Sequence, residues 1–196
     1  AAETNENECN QSKKSYSDID FALRYTKKMD DNQFGVFTAK ESDEKFSTGR
    51  EYYALRGKSN IDNKTLGYML THVIDDITHS SSTVKVIDYI NIKSEQLTTY
   101  FDLLSTEKNG INGEGLRAQY TYKPNKLSRN SGSIIYFDKE FRLNDFGYLQ
   151  RNDWFHLGVG HNIQKIDFAK DSNVILKDFN IDINYDADTD GNSNPY

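Results

Sequence analysis

The chain has 196 residues and a formal net charge of −6; 36% of its residues are apolar and 13% are aromatic. The acidic balance and the lack of a Lys/Arg cluster argue against a nucleic-acid surface, and no apolar run approaches the roughly 18 residues of a transmembrane helix. A single cysteine, Cys9, excludes an intrachain disulfide and a four-cysteine zinc site. The aromatic residues distinguish the chain from disordered proteins. They favour a sheet with one polar and one apolar face.

Residues 1–17 are polar and show no periodicity, which predicts a loop or a disordered segment. A regular alternation begins directly afterwards, and its apolar members are Ile19, Phe21, Leu23 and Tyr25. Successive side chains of a β-strand point to opposite faces of the sheet. The alternation therefore predicts a strand over residues 18–28 with one apolar face.

The same alternation recurs along the chain, interrupted by segments rich in Asp, Asn, Gly and Ser that are typical of turns and loops. It predicts about ten strands, over residues 18–28, 34–39, 52–58, 66–71, 84–93, 96–106, 116–123, 133–140, 155–163 and 174–186. Both prolines, Pro124 and Pro195, fall outside these strands, as ladder hydrogen bonding requires. The best helical candidate, residues 94–104, contains two threonines and a tyrosine in succession, which favour a strand. The predicted fold class is all-β, a long antiparallel meander.

Alternation alone does not separate a barrel from a soluble sandwich, because both architectures alternate. Strands of soluble proteins have about 5–6 residues, whereas strands that cross a membrane have about 9–11. Residues 18–28 and 178–186 reach the longer class. Charged residues on one face, such as Arg117 and Lys123, suit a water-filled lumen and also a solvated sheet face. Strand length favours a curved sheet or part of an outer-membrane β-barrel. A soluble sandwich stays an alternative.

Six segments carry a family resemblance, and they are DIDFALRYT, QFGVFTAKESDE, GREYYALRG (Gly49–Gly57), TLGYMLTHV (Thr65–Val73), GEGLRAQYTYKPN (Gly113–Asn125) and LNDFGYLQRNDW (Leu143–Trp154). Their order and spacing resemble the C-terminal region of the bacterial family known as domain of unknown function 5916. The most specific piece is the Asn-Asp-x-Gly-aromatic-x-x-Arg-x-Asp pattern of NDFGYLQRND. The resemblance covers roughly residues 18–160.

The resemblance implies that residues 18–196 form a β-barrel-type domain in the outer membrane of a Gram-negative bacterium, with membrane lipid as partner. Family members are several times longer, and before the barrel they usually carry a domain similar to family 9 carbohydrate-binding modules. A glycan partner would bind through that domain, which is absent from this sequence. The ending NSNPY is not an aromatic-ended closing strand, so a fragment of a larger barrel is expected. The family has no established catalytic residues to carry over.

The sequence DADTDGN resembles the start of a calcium-binding loop. Positions 1, 3, 5 and 6 of such a loop would be filled by Asp186, Asp188, Asp190 and Gly191. The bidentate glutamate of position 12 and a preceding helix are not predicted here. A solvated acidic turn over residues 186–192 is the preferred interpretation, and neither a metal site nor a cofactor is predicted.

The four histidines, which could ligate a metal or act as a general base, are His72, His79, His156 and His161. His156 and His161 are five residues apart, so on one strand they face opposite sides of the sheet and cannot share a metal. His72 and His79 flank an acidic turn and are expected to be exposed. None of the four is predicted to be catalytic.

Other chemistry-bearing patterns are weaker. Asp138 and Glu140 would share a strand face at a separation useful for glycoside hydrolysis, but the chain has 30 acidic residues and such pairs arise by chance. The G-x-G within residues 157–162 lacks the third glycine and the helix of a dinucleotide site, and small residues there are expected to relieve crowding. Residues 80–82 are serines of a polar loop, without a nucleophile elbow.

The motif NDFGYLQRND has two interpretations. In a barrel, Arg151 would pair with Asp145 or Asp153 inside the lumen, and Phe146 and Tyr148 would lie at the membrane interface. Alternatively, the motif is a turn in which its glycine supplies an unusual backbone dihedral.

These patterns and the resemblance predict a non-catalytic outer-membrane β-barrel segment of a carbohydrate-associated surface or periplasmic protein. Two other functions stay open. One is a soluble β-sandwich carbohydrate-binding module, whose tyrosines would form a stacking platform, and the other is a glycoside hydrolase with paired carboxylates. In a barrel, the residues of one strand that face lipid are Leu116, Ala118, Tyr120 and Tyr122, and those that face the interior are Arg117, Gln119, Thr121 and Lys123.

Overall fold

The computed structural model describes residues 18–42, 49–76, 78–143, 151–168 and 173–192. Within these residues the backbone forms ten β-strands. They are β1 (Ile19–Met29), β2 (Asn32–Glu41), β3 (Glu51–Ile61), β4 (Lys64–Asp75), β5 (Ser80–Ser94), β6 (Leu97–Lys108), β7 (Ile111–Asn125), β8 (Ser128–Phe137), β9 (Trp154–Lys165) and β10 (Lys177–Ala187). The described residues include no helix that is long and apolar enough to cross a membrane.

All ten strands belong to one sheet, and each pairs antiparallel with the next strand in chain order. Tight turns connect the hairpins. Asn109 and Gly110, with φ of 52° and 79°, join β6 to β7. A type I′ hairpin turn needs positive φ at both central residues, which an Asn-Gly pair supplies at little cost. The predicted all-β antiparallel meander is confirmed.

The sheet is open in the described part of the chain, because β1 pairs only with β2 and β10 only with β9. Every residue of β1 is exposed, and so are nine of the eleven residues of β10. The outer edges of these two strands therefore present backbone N–H and C=O groups that have no neighbouring strand among the described residues.

The best-packed region lies near the end of β8. Phe141 is fully buried and stacks on Phe137, with ring centroids 4.7 Å apart. Two glycines of β7 make room for this contact, since a Cβ atom at Gly113 would lie 2.5 Å from the backbone of Phe141. The segment after β8 thus packs back onto one face of the sheet.

Several strands extend further than the alternation predicts. The polar segments 75–83 and 107–115 read as loops, yet β5 begins at Ser80, β6 continues to Lys108 and β7 begins at Ile111. Hairpin pairing extends into the described parts of these segments, although most of their side chains are polar. Periodicity loses its signal there, while the backbone hydrogen bonds persist.

Two strands are shorter than predicted. Residues 174–176 precede β10, which begins at Lys177. Strand β8 ends at Phe137, because the carboxylate of Asp138 accepts the backbone N–H groups of Glu114 at 2.7 Å and Glu140 at 3.0 Å. These bonds turn the chain, so the prediction that Asp138 and Glu140 share a strand face is wrong.

Candidate functional site

The two faces of the sheet differ in chemistry. We call one the apolar face; on the outer strands its exposed side chains are Ile19, Phe21, Leu23 and Tyr25 of β1, and Phe179, Ile181, Ile183 and Tyr185 of β10. In the middle of the sheet the same face carries Leu66, Tyr68 and Leu70 of β4, and Phe101 and Leu103 of β6. The opposite face, which we call the polar face, carries most of the charged and small residues of the strands.

The apolar side chains form a band that runs obliquely across the strands. A row of directly opposed residues crosses the sheet from Tyr185 on β10 to Met29 on β1. On β10 the apolar series 179–185 starts at this row and extends six residues to one side. On β1 the apolar series 19–25 lies on the other side, four to ten residues from Met29.

The drift of this band follows from the midpoints of the two series. On β10 the midpoint of the apolar series is residue 182, which lies three residues from Tyr185 on one side of the row. On β1 the midpoint is residue 22, which lies seven residues from Met29 on the other side of the row. The band is therefore displaced by ten residues over nine strand-to-strand steps.

The polar face pairs its charged groups across strands. Arg117 Nε donates to Asp102 Oδ2 at 2.7 Å, and these residues are directly opposed on β7 and β6. Asp102 is only 8% exposed, so this partner compensates a carboxylate that has lost most of its water. A second ion pair joins Arg56 of β3 to Asp88 of β5. The predicted division of β7 into an apolar and a polar side agrees with this arrangement.

Ser133, His156 and Asp186 lie on the successive strands β8, β9 and β10 and form a chain of hydrogen bonds on the polar face. Ser133 Oγ is 3.2 Å from His156 Nε2, and His156 Nδ1 is 3.0 Å from Asp186 Oδ1. The indole N–H of Trp154 donates to the same carboxylate oxygen at 2.7 Å. Because an ionised carboxylate only accepts hydrogen bonds, Nδ1 of His156 carries a proton. In the neutral imidazole, Nε2 is then left to accept the hydroxyl proton of Ser133.

Gly158 makes the contact between the serine and the histidine possible. It lies on β9 directly opposite Ser133 on one side and Asn184 on the other. A Cβ atom at Gly158 would be 2.8 Å from Ser133 Oγ and 2.9 Å from His156 Nε2. A side chain at this position would therefore force the hydroxyl and the imidazole to shift.

A cavity of about 240 Å³ opens on the polar face beside Ser133. Its wall includes Gln119, Arg129, Ser131, Gly160, Asp182 and Asn184. Gln119 is directly opposite Ser133 on β7, so its amide reaches the same space from the side away from the histidine. The cavity wall therefore combines the Ser133 hydroxyl with several hydrogen-bond donors, and the imidazole of His156 reaches this hydroxyl from outside the wall.

Asp153, which lies just before β9, forms hydrogen bonds with Thr189, which lies just after β10. Thr189 donates its backbone N–H at 2.8 Å and its hydroxyl at 2.5 Å to Asp153 Oδ1. These hydrogen bonds hold the pKa of Asp153 below its ordinary value of 3.8, and the positive charges of Arg151 and Lys139 act in the same direction, while desolvation opposes them. The predicted ion pair of Arg151 with Asp145 or Asp153 inside a lumen stays a prediction.

The acidic turn of residues 186–192, whose sequence resembles a calcium loop, forms hydrogen bonds within itself. Asp188 accepts the backbone N–H of Asn192 at 2.7 Å and its side-chain amide at 3.0 Å. Asp186, the first residue of the motif, is turned toward Trp154 and His156. Among the described residues, no three His, Cys, Asp or Glu side chains are grouped so that they could hold a metal ion.

The other three histidines do not belong to the group formed by Ser133, His156 and Asp186. His161 lies on the opposite face from His156, as the five-residue spacing requires, and bonds through Nδ1 to Asn130 Oδ1 at 2.7 Å. His79 is exposed in the turn before β5. His72 is half-buried and 2.9 Å from Thr83 Oγ1. The expectation that His72 is exposed is wrong, because β4 continues past it to Asp75.

Other candidates have clear positions. Gly160 relieves crowding as predicted, since a Cβ atom there would lie 2.4 Å from Asp182 Oδ1. The serines of residues 80–82 belong to β5, and Ser82 is buried, so they do not form a polar loop. The predicted roles of Asp145, Phe146 and Tyr148, and of residues 1–17, fall outside the described residues.

No family model matches this chain, and neither a characterised protein nor a solved structure shows significant similarity to it. The likeness to domain of unknown function 5916 therefore stays an expectation. The features that bear on function are the apolar face, the polar face and the side-chain contacts on the polar face.

Proposed function

We propose that this chain forms part of the wall of an outer-membrane β-barrel, with its apolar face toward lipid and its polar face toward an aqueous lumen. The observation that carries the proposal is the oblique course of the apolar band. In a barrel the strands tilt relative to the barrel axis, and a membrane-height band must cross them obliquely.

The size of the drift supports the proposal. Ten residues over nine steps is about 1.1 residues per strand. With a rise of about 3.4 Å per residue and a spacing of about 4.8 Å between strands, the drift corresponds to a strand tilt of about 38° from the normal of the band. Strands of outer-membrane barrels tilt by about 35–45°.

The composition of the faces supports the same orientation. Large side chains on the apolar face stay exposed, such as Ile183 at 64% and Phe179 at 55%. A soluble sandwich would cover such a face with a second sheet, and the described strands all belong to one sheet. On the polar face, paired charges such as Arg117 and Asp102 suit a hydrated interior. The edges of β1 and β10 would be closed by further strands.

The resemblance to domain of unknown function 5916 suggests what such a wall would do in a longer bacterial protein. It would hold a carbohydrate-binding domain at the outer membrane, and any glycan would be bound by that domain. Membrane lipid would then be the partner of the residues described here.

The test is folding in different media. The chain is refolded in plain buffer, in detergent micelles and in lipid vesicles, and followed by circular dichroism and by heat-dependent mobility on gels. The proposal expects cooperative β-structure and heat-modifiable mobility in micelles and vesicles, and aggregation in buffer. A monomeric, cooperatively folding chain in plain buffer would overturn it.

A further inference from the structure

The Ser133–His156–Asp186 cluster has the connectivity of a nucleophile, a general base and an orienting carboxylate. The histidine presents Nε2 to the hydroxyl and Nδ1 to the carboxylate, at 3.2 and 3.0 Å. A serine–histidine–aspartate triad is recognised by this geometry and not by the order of the residues in the chain. Because the geometry requires three strands in register, it arises from the fold and not from a local motif.

Three further observations separate the cluster from a chance hydrogen-bond network. Gly158 leaves space that any side chain would fill, at the point where the serine and the histidine meet. The cavity of about 240 Å³ beside Ser133 is large enough for a small acyl group. Trp154 also fixes the carboxylate of Asp186 through its indole N–H at 2.7 Å.

We propose that Ser133, His156 and Asp186 form a hydrolytic site for short-chain carboxylic esters on the polar face of the sheet. This inference goes beyond the barrel-wall function and departs from the sequence-based expectation that the chain is not an enzyme. It concerns the polar face alone, so it does not depend on whether the apolar face contacts lipid.

The reaction proceeds in two balanced steps. Ser133 Oγ attacks the ester carbonyl carbon while its proton passes to His156 Nε2; the ester C–O bond breaks, and the alcohol leaves with that proton. Water then attacks the acyl-serine, gives its proton to His156 and releases the carboxylic acid as Ser133 regains its proton. Asp186 keeps the imidazole in the required tautomer throughout.

The negative charge that develops on the carbonyl oxygen needs hydrogen-bond donors. Backbone N–H groups of β8 and β9 are engaged in the sheet, so side chains must supply them. Gln119, opposite Ser133, and Arg129 and Asn184 on the cavity wall carry suitable groups. These three residues define the polar wall that would contact the ester.

The experiment uses the folded chain in whichever medium gives its β-sheet circular dichroism spectrum. A fluorophosphonate probe forms a bond from Ser133 Oγ to phosphorus with loss of fluoride, and mass spectrometry locates the adduct. Hydrolysis of p-nitrophenyl acetate is measured in parallel. We expect Ser133→Ala and His156→Gln to reduce both readouts by at least about 100-fold.

Matched controls lie on the same strands but on the opposite face. Ser128→Ala on β8 and His161→Gln on β9 are expected to stay within about twofold of the unmodified chain. Gly158→Ala should reduce labelling while the sheet spectrum is unchanged, because the new Cβ would lie 2.8 Å from Ser133 Oγ and 2.9 Å from His156 Nε2, so that both groups must shift. A folded chain that is not labelled, or labelling that survives Ser133→Ala, would overturn the proposal. Either result would leave the folding test of the barrel wall unaffected.

Discussion

Arg56 of β3 and Asp88 of β5 form an ion pair across the full width of β4. Gly67 of β4 lies beneath the pair, and a Cβ atom there would be 1.8 Å from Asp88 Oδ2 and 2.7 Å from Arg56 Nη2. The glycine is therefore the reason that two charges on non-adjacent strands can meet. The pair connects three strands of the polar face.

Gly67→Ala should break this contact by forcing the carboxylate aside. We expect a loss of about 1–2 kcal/mol in the free energy of unfolding, measured by urea titration. Gly35→Ala is the matched control on the same face, because a Cβ at Gly35 meets its nearest atoms at an ordinary 3.6 Å. Equal effects of the two substitutions would show that the ion pair does not need the glycine.

Tyr120 and Thr121 test the two faces at adjacent positions of β7. Tyr120 lies on the apolar face, so Tyr120→Arg should cost roughly 2–4 kcal/mol in lipid vesicles if it lies near the bilayer midplane. Thr121→Arg places the same charge on the polar face and should change stability by less than about 0.5 kcal/mol. Urea unfolding in vesicles measures both. A negligible effect of Tyr120→Arg would contradict a lipid-facing surface there.

The lowered pKa of Asp153 predicts a pH dependence. A carboxyl group whose pKa is lower in the folded than in the unfolded state stabilises the fold above its unfolded pKa, near 3.8, and this contribution disappears as the pH falls through the folded value. Asp153→Asn should thus be less stable than the unmodified chain at pH 6, with the gap in melting temperature narrowing below pH 4. A gap that is constant down to pH 2.5 would argue against the role of the charge.

The strands could be predicted where one face is apolar and the other polar, as at Ile19–Met29. The ends of the strands could not be predicted, because the hairpin around Asn109 and Gly110 carries mostly polar residues, with Ile111 as the exception, and leaves no period-two signal. The same polar extensions explain why segments expected to be loops are paired strands.

The candidate site was only partly visible in the sequence. The spacing of His156 and His161 predicts opposite faces, but the partners of His156 depend on register. Ser133 and Asp186 lie 23 and 30 residues away from it. Gly158, two residues after His156, was the one local signal, and it indicates only that side chains crowd this position.

The most direct test of the central claim is a depth profile of the apolar band. Cys9 is replaced by Ser, single cysteines along β1 and β10 carry spin labels, and accessibility to oxygen and to a polar nickel chelate is measured in lipid vesicles. The oblique band predicts period-two alternation with the deepest positions near Leu23 on β1 and Ile181 on β10. Deepest positions that follow the row from Met29 to Tyr185, or no alternation at all, would contradict it.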